Sequence, residues 1–380
     1  MKYFHFIPAA CIFLFCQCGG QDSHFLSDTK YIPVFSEDSC QYIDHGDNLH
    51  FTGAYSDASL FYDNMALICN QSDKKWGYID DSGKLQYPAV YTRATIFNEN
   101  RAWVVRPDEA PCAIDTKGRL QLTLTRASKV MIFCEGMAAF AQKEKKGERW
   151  GFIDKSGTPV IKPLYKDVKP FSSGLAAVKN EQNLWGYIDS KGIERIPAQF
   201  SSAESFSKEG HAVVRSAKSG LFQVIDTKGD TLWTIECDAL ISDGNTFRIK
   251  KDKKWGWCDN KGNIFIEPRF EDSESFRNTD LAPVKIRGKW GYINRKGEWK
   301  IKRQFSKAFP FFDGLAVVQT GTFPNQPSIR PYFRRLHSSI DRERLGIHTG
   351  RKRSRPIQIK PSQLISPPTN GQITHPEKVS

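Results

Sequence analysis

The sequence of 380 residues lacks the short motifs that identify many enzymes. It contains no glycine-rich dinucleotide loop of the GxGxxG kind, no P-loop and no GxSxG nucleophile elbow. Its eight histidines are scattered, and none has a spacing that suits a metal ion or a nucleophile–base pair. We therefore expect a protein that is not an enzyme, with no catalytic residue, no cofactor and no metal site.

Paired cysteines are missing as well. Beyond Cys18, six cysteines follow, and they include no CxxC pair, which argues against zinc binding. Several replace apolar residues of a repeated motif, as Cys258 does where Ile79 stands. We expect these cysteines to be small buried hydrophobic residues, with room for one or two disulfides if the protein is exported.

The N-terminus has the composition of a secretory signal. Lys2 precedes an apolar run from Phe6 to Phe15, which is too short to cross a membrane as a helix. Cys18, followed by small and polar residues, resembles the lipid-attachment cysteine of a bacterial lipoprotein. We expect residues 1–18 to be a lipoprotein-like signal and residues 19–30 a linker, with simple signal cleavage as the alternative. The protein would then be exported, as an envelope or outer-membrane lipoprotein or as a secreted protein.

One short sequence, of the form KWGYID, recurs along the chain. An aromatic residue follows its tryptophan after fifteen residues and a second one after twenty-one. Degenerate copies begin at Cys40, Pro111 and Phe222, which gives eight units spaced 33 to 39 residues apart. All length variation falls between the second aromatic and the next motif. The five tryptophans that mark the clear units are Trp76, Trp150, Trp185, Trp255 and Trp290.

Each unit has the pattern of a three-stranded β-meander. The motif alternates as a half-buried strand does, and the DxxG that follows it is typical of a type I turn closing a hairpin. A second strand is predicted to end at a proline, an aromatic-pinned connector follows, and a GLAxV segment forms the third strand. No segment of this body has a helical period.

These landmarks resemble those of the WG-repeat family, also called KWG repeats, which is common in bacterial envelope proteins, notably those of spirochaetes. The resemblance covers residues 31–321. It implies an all-β tandem array without a known catalytic residue, and it implies no ligand. Both a propeller-like ring and an open spiral or solenoid are compatible with units of this length.

The motif tryptophans are expected in the core rather than at a ligand, because each recurs at a fixed distance from two other aromatics. The motif acids, such as Asp80 and Asp189, are explained by turn chemistry, and Asn294 replaces one of them in register. A binding site is expected in the variable loops before the tryptophans, such as 69–75 and 142–149.

The C-terminal segment 322–380 differs in composition from the repeats. It carries eleven Lys or Arg against three acids, which accounts for +8 of the formal net charge of +13. We expect it to be disordered. A basic arm for nucleic acid or anionic lipid, an ordinary flexible terminus and a translated frameshift are all compatible with it, although a nucleic-acid partner conflicts with the export signal.

The sequence thus predicts an exported envelope protein, held at the membrane by a lipid on Cys18. Its repeat array would act as a scaffold or binding surface for a protein or glycan partner. The alternatives are a secreted adhesin or effector that contacts a host partner, and a carbohydrate-processing envelope enzyme, which would need paired carboxylates in one pocket.

Overall fold

The computed structural model describes residues 30–35, 39–44, 48–145, 147–277, 279–311, 315–319 and 333–337. The chain divides into the units Met1–Ser338 and Ser339–Ser380, and all described residues belong to the first. The predicted signal, Cys18 and almost all of the predicted linker lie outside them. Among the described residues, no helix has the length and apolar character needed to cross a membrane.

Every regular element of the described ranges is a β-strand, and the strands form antiparallel sheets. The first four sheets comprise β1 (Tyr31–Phe35), β2 (Cys40–Asp44) and β3 (Leu49–Gly53); β4 (Tyr55–Tyr62), β5 (Met65–Asn70), β6 (Trp76–Ile79) and β7 (Leu85–Tyr91); β8 (Arg93–Ala94), β9 (Ala102–Val105), β10 (Cys112–Ile114) and β11 (Leu120–Thr123); and β12 (Ala127–Cys134), β13 (Met137–Glu144), β14 (Gly147–Asp154) and β15 (Pro159–Tyr165).

The remaining sheets continue the same series. They comprise β16 (Asp167–Val168), β17 (Leu175–Lys179), β18 (Trp185–Asp189), β19 (Glu194–Ala203), β20 (His211–Ser216), β21 (Phe222–Asp226) and β22 (Thr231–Ile235) in one seven-stranded sheet; β23 (Ala239–Asp243), β24 (Thr246–Lys251), β25 (Lys254–Asp259) and β26 (Ile264–Phe270); β27 (Asp272–Ser273), β28 (Leu281–Ile286), β29 (Lys289–Asn294) and β30 (Trp299–Phe305); and β31 (Lys307–Ala308), β32 (Leu315–Gln319) and β33 (Phe333–His337).

The predicted all-β tandem array is confirmed, but a complete sheet has four strands rather than three. The connector within each unit contains a short strand, such as β8 or β27, which is the first strand of a sheet, and the third strand of that unit pairs with the motif strand of the next. Each sheet therefore joins the end of one sequence repeat to the beginning of the following one. The strand β19 is long enough to serve two such sheets, which merges them into the seven-stranded one.

The fixed spacing of fifteen residues is a cross-strand pair. Trp185 lies opposite Phe200, and the equivalent pairs recur in the other clear units, at Trp76–Tyr91, Trp150–Tyr165, Trp255–Phe270 and Trp290–Phe305. Two residues on, the register shifts, because Tyr187 lies opposite Ile196. The outer strand therefore bulges just beside the glycine of the motif.

This bulge corrects the predicted role of the proline. Pro197 does not end its strand, because β19 continues beyond it, and the same holds for the equivalent proline in β7, β15 and β26. Proline has no backbone N–H to donate, and it is tolerated at a bulge or an unpaired edge, where no hydrogen bond between strands is lost. A Cβ atom on Gly186 would lie 2.6 Å from the Ile196 carbonyl oxygen and 2.7 Å from the Ala198 nitrogen. The motif needs glycine there because the bulged backbone occupies the space of a side chain.

The core lies between consecutive sheets. One cluster combines Trp150, Phe152 and Ile161 of the β12–β15 sheet with Phe171 and Ile188 of the following sheet. Equivalent clusters join other neighbours in the series, and one further cluster joins the two halves of the seven-stranded sheet. Each sheet therefore buries its faces against its two neighbours in sequence, as the units of a repeat array do.

Polar contacts join the same sheets at one end of their second strands. The Glu135 carboxylate accepts a hydrogen bond from the Gly174 backbone N–H at 2.9 Å, and Glu99 accepts one from Gly136 at 3.0 Å. Asp243 accepts one from Phe276 at 3.1 Å. These turns place acids at the start of the second strand in several sheets.

One strand lies in the segment predicted to be a disordered tail. The strand β33 pairs with β32, and Phe333 lies opposite Gln319, as Trp290 lies opposite Lys285 in the preceding sheet. The segment Phe333–His337 thus takes the place of a motif strand without its sequence. The rest of residues 322–380 lies outside the described residues, so disorder there stays a prediction.

Candidate functional site

The five landmark tryptophans lie against the core of their sheets. Trp150, Trp185 and Trp290 are buried, whereas Trp76 and Trp255 are partly buried. Cations of the preceding strand approach the exposed ring face of Trp255, since Lys250 Nζ lies 5.3 Å from its ring centroid. This distance is within the range of a cation–π contact. The rings therefore stabilise the sheets, as their spacing predicts.

The most deeply buried aromatic of the motif is not the tryptophan but the residue two positions later. Tyr78, Phe152, Tyr187, Trp257 and Tyr292 are all fully buried. Each packs against the aromatic twenty-one residues after the motif tryptophan, with ring centroids 4.8 to 5.1 Å apart. This contact explains why the second aromatic spacing is constant.

Where this residue is tyrosine, its hydroxyl makes the same bond in every unit. It donates to the backbone carbonyl seventeen residues later, at 2.7 to 2.8 Å, in Tyr42, Tyr78, Tyr187 and Tyr292, here called the motif tyrosines. Burial raises the pKa of each of these hydroxyls. No feature of the sequence identifies the carbonyl partner, because any residue can supply a backbone carbonyl there, as Ser59, Thr95, Glu204 and Phe309 do.

The motif acids hold turns. The Asp189 carboxylate accepts backbone hydrogen bonds from Lys191 at 2.9 Å and Ile193 at 3.0 Å, and Asp80 accepts the equivalent pair. These donors, beginning with the Ile193 N–H, lower the pKa of the Asp189 carboxyl. Asn294 makes the same two backbone bonds, which confirms that the position needs an oxygen acceptor rather than a charge.

The following glycine of each turn has positive φ, from 72° to 90° in seven turns. It also packs against the outer strand of the preceding sheet, since a Cβ on Gly229 would lie 3.2 Å from Ile196 and one on Gly262 would lie 2.9 Å from Trp233. Because this contact recurs at successive interfaces, the same ends of neighbouring sheets lie side by side along the array.

The cysteines behave as buried apolar residues where they are described. Cys69, Cys112 and Cys258 are buried free thiols, Cys237 is a partly exposed one, and Cys40 is buried as well. Burial raises the pKa of the Cys258 thiol to about 12, which keeps it protonated and unreactive at neutral pH. Cys134 is disulfide-bonded. Within the described ranges, no group of three or more His, Cys, Asp or Glu could hold a metal ion.

The loops predicted to bind a partner are hairpins between the second strand of a sheet and its motif strand. Segment 69–75 joins β5 to β6, and segment 142–149 is largely incorporated into β13 and β14. In the second segment charges are paired locally, since Glu148 lies 2.6 Å from Lys129 and Arg149 lies 2.8 Å from Glu181. The predicted loops are therefore at one edge of the array, with part of their charge neutralised.

The equivalent hairpins of three later units carry far more unpaired charge, which the sequence reasoning missed. They contain nine cations, here called the basic edge: Arg215, Lys218, Lys250, Lys251, Lys253, Lys254, Lys285, Arg287 and Lys289. Their own hairpins contain a single acid, Asp252. No carboxylate of the described residues lies within 4.0 Å of any of the nine. A count of lysines between each GLAxV strand and the next motif could have found this cluster.

Two of these hairpins have rigid tips. Asp252 and Lys253 have φ of 51° and 61°, and Arg287 and Gly288 have φ of 49° and 72°, as in the tight turns that match the twist of a hairpin. The Glu271 carboxylate accepts the N–H groups of Arg287 and Gly288 at 2.7 and 3.0 Å, which lowers its pKa. The cations at the tips thus project from a fixed backbone.

The family model described as "WG containing repeat" matches five segments of the chain, at residues 76–106, 150–183, 185–217, 255–290 and 290–321. These are the units that begin with the five landmark tryptophans. The units at Cys40, Pro111 and Phe222 form the same kind of sheet without a match. No curated protein matches the chain.

Several solved structures resemble the fold at low identity. They include the dihydro-heme d1 dehydrogenase NirN in complex with DHE (14% identity, TM-score 0.45, covering 72% of each chain). Others are BamB from Moraxella catarrhalis (12%, TM-score 0.39, 71% of this chain and 92% of that one) and the Dos1 propeller (11%, TM-score 0.40, 74% and 99%). At these TM-scores no argument about function rests on them, and the choice between a closed propeller-like ring and an open spiral stays a prediction.

Proposed function

Because the chain is a WG-repeat protein, we propose that it is a non-enzymatic exported protein of the cell envelope. A lipid on Cys18 holds it at a membrane, and its array acts as a scaffold that presents the hairpin edge to a protein or glycan partner. The envelope location rests on the signal-like N-terminus alone.

One contrast between the two parts of each unit carries the binding proposal. The motif aromatics and acids are used within the array, as core rings and as turn acceptors. The hairpins before the motif vary in length and charge and hold exposed side chains such as Lys218 and Lys254. A scaffold whose fixed residues are structural can vary its hairpins without loss of fold.

Intact mass spectrometry of the mature protein, taken from its native membrane fraction, tests the anchor. We expect a diacyl or triacyl increment on an N-terminal Cys18, which Cys18→Ser abolishes together with membrane fractionation. Cys16→Ser is the matched control, because this neighbouring cysteine fits the lipoprotein pattern less well. An unmodified protein that starts at another residue would contradict the anchor and favour the secreted adhesin.

Site-specific photo-crosslinking tests the binding surface. A photoreactive residue at Ser219, in an exposed hairpin, is compared with one at Thr227, in an exposed turn at the opposite end of the same motif strand. We expect adducts with an envelope component at Ser219 and few at Thr227. Equal labelling at both positions would remove the reason to assign binding to the hairpins.

A further inference from the structure

We propose that the basic edge is a docking surface for an anionic membrane, where it contacts the phosphate groups of lipid headgroups. This inference deepens the proposed function and rests on it only for bringing the array close to a membrane. It arises from the charge, exposure and arrangement of three consecutive hairpins, between β20 and β21, β24 and β25, and β28 and β29.

The three hairpins follow one another along one edge of the array. All three lie at the same end of their motif strands, and the DxxG turns lie at the other end. Those turns lie against the outer strand of the preceding unit, Gly229 beside Ile196, Gly262 beside Trp233, and Gly297 beside Arg269 and Ile266. The three hairpins therefore lie in a row along one edge, separated by about 10 Å, the ordinary spacing of packed sheets.

The positive charge of the basic edge is only partly balanced by acids of the array. Lys251 and Lys254 are direct cross-strand partners, a pairing of like charges that opposes hairpin formation. The nearest acids, Asp238 and Glu271, use carboxylate oxygens to accept backbone N–H groups of the hairpin tips. Even when these acids and Asp252 are subtracted, the nine cations leave a net charge of +6. Glu271 attracts Lys254 and Lys285 without forming an ion pair with them, and no carboxylate of the described residues pairs with any of the nine cations.

The two ends of the strands differ in net charge. The second strands that end at the basic edge begin at turns without an excess of exposed charge: Lys208 and Glu209 precede β20, and Asp243, before β24, is buried and accepts the Phe276 N–H. The DxxG turns at the opposite end of the motif strands carry both signs of charge, since Lys228, Lys261 and Lys296 lie beside Asp230, Asp259 and Glu298. The excess of positive charge is therefore on the basic edge, and it orients the array in front of a negatively charged plane. Each cation that reaches an anionic leaflet adds attraction, which falls off within a Debye length of about 8–10 Å.

A membrane fits this edge better than a nucleic acid does. The tips consist of small, polar and basic residues, such as Ala217, Ser219 and Gly288, and they contain no aromatic ring on which a base could stack. Three separate tips in a row form a broad contact for a plane of phosphates. A positively charged groove, which single-stranded nucleic acids use, is not needed for this contact.

The test is co-sedimentation of the full chain with phosphatidylcholine vesicles that do or do not contain phosphatidylglycerol, at about 0.1 M ionic strength. All proteins carry Cys18→Ser, so that no lipid anchor contributes. The edge variant combines Lys218→Gln, Lys251→Gln, Lys254→Gln and Lys289→Gln. The control variant combines Lys191→Gln, Lys228→Gln, Lys261→Gln and Lys296→Gln, which removes the same charge from exposed turns at the opposite end of the motif strands.

We expect the parent protein to bind vesicles with phosphatidylglycerol and not those without it. Each cation at an anionic surface contributes about fivefold, so the edge variant should lose on the order of 100-fold in partition coefficient or more. The control variant should keep most of its binding, because its residues face away. The basic segment 322–380 is identical in all proteins and cancels in the comparison.

Three results would overturn the inference: no binding by the parent, equal loss in both variants, or full binding by the edge variant. The last result would assign the binding to another part of the chain. Preferential binding of single-stranded DNA over vesicles by the parent, lost in the edge variant, would replace the membrane by a nucleic acid. Because no protein in this test carries the lipid anchor, a failure to bind vesicles would not decide whether Cys18 is lipidated. The intact mass of the mature protein tests the proposed function separately. Thermal unfolding midpoints of the variants at or above that of the parent exclude misfolding.

Discussion

Replacing one buried hydroxyl tests whether the motif tyrosines hold the connector to the sheet. Tyr187 is fully buried, and its hydroxyl donates to the Glu204 carbonyl oxygen at 2.7 Å. Tyr187→Phe keeps the ring and its contact with Phe206 and removes only this bond. A net hydrogen bond contributes about 0.5–1.5 kcal/mol, and an acceptor left without its donor adds to the cost. We expect a loss of about 1–2 kcal/mol in the free energy of unfolding.

Urea unfolding of the full chain measures this loss. Repeat arrays can unfold in parts, so free energies are compared where circular dichroism and tryptophan fluorescence give coincident transitions. Tyr165→Phe is the matched control, because its ring packs against the core and its hydroxyl has no hydrogen bond within the described part of the chain. It should change stability by less than about 0.5 kcal/mol. Equal losses for the two variants would refute the role of the hydroxyl.

Three further predictions concern the motif. Gly186→Ala should lower the free energy of unfolding by about 2 kcal/mol or more, since its Cβ would meet the bulged backbone at Ile196, and urea unfolding measures it. Alkaline pH should unfold the array, because burial raises the pKa of the motif tyrosines in the folded protein. Their stabilising effect is complete below about pH 10 and is lost as pH rises further, by about 1.4 kcal/mol per pH unit for each tyrosine. A profile of the free energy of unfolding against pH measures this loss. Asp189→Asn should fold normally, as Asn294 shows at the equivalent position. On acidification its unfolding midpoint should fall less than that of the parent. The lowered pKa of the Asp189 carboxyl stabilises the parent only above the pH range in which that carboxyl is protonated.

The landmarks that could be predicted are those made within one repeat. The spacings of fifteen and twenty-one residues correspond to the Trp185–Phe200 pair and, through Tyr187, to the contact with Phe206. The DxxG turn closes over four residues by local backbone bonds. Such features depend on strand alternation and turn chemistry, which a short sequence contains in full.

The features that could not be predicted involve a neighbouring strand or sheet. Pro197 was expected to end its strand, because the bulge that accommodates it depends on the register of the facing motif strand. The first two strands of each sheet, the short connector strand and the GLAxV strand, come from the preceding repeat, so no single repeat contains a complete sheet. The basic edge was missed for the same reason. Lysines 218, 251 and 289 are far apart in sequence, and only the strand order places their hairpins at one edge.

Removing lysines from the basic edge should raise the stability of the protein and weaken its binding to anionic vesicles. Lys251 opposes Lys254 across the hairpin, and like charges in this position destabilise by a few tenths of a kcal/mol. Lys251→Gln with Lys254→Gln should therefore raise the free energy of unfolding slightly while it weakens binding to anionic vesicles. A substitution that damaged the fold would lower both. Weakened binding together with reduced stability would mean that these lysines support the sheet, and that the edge is not a surface kept free for a partner.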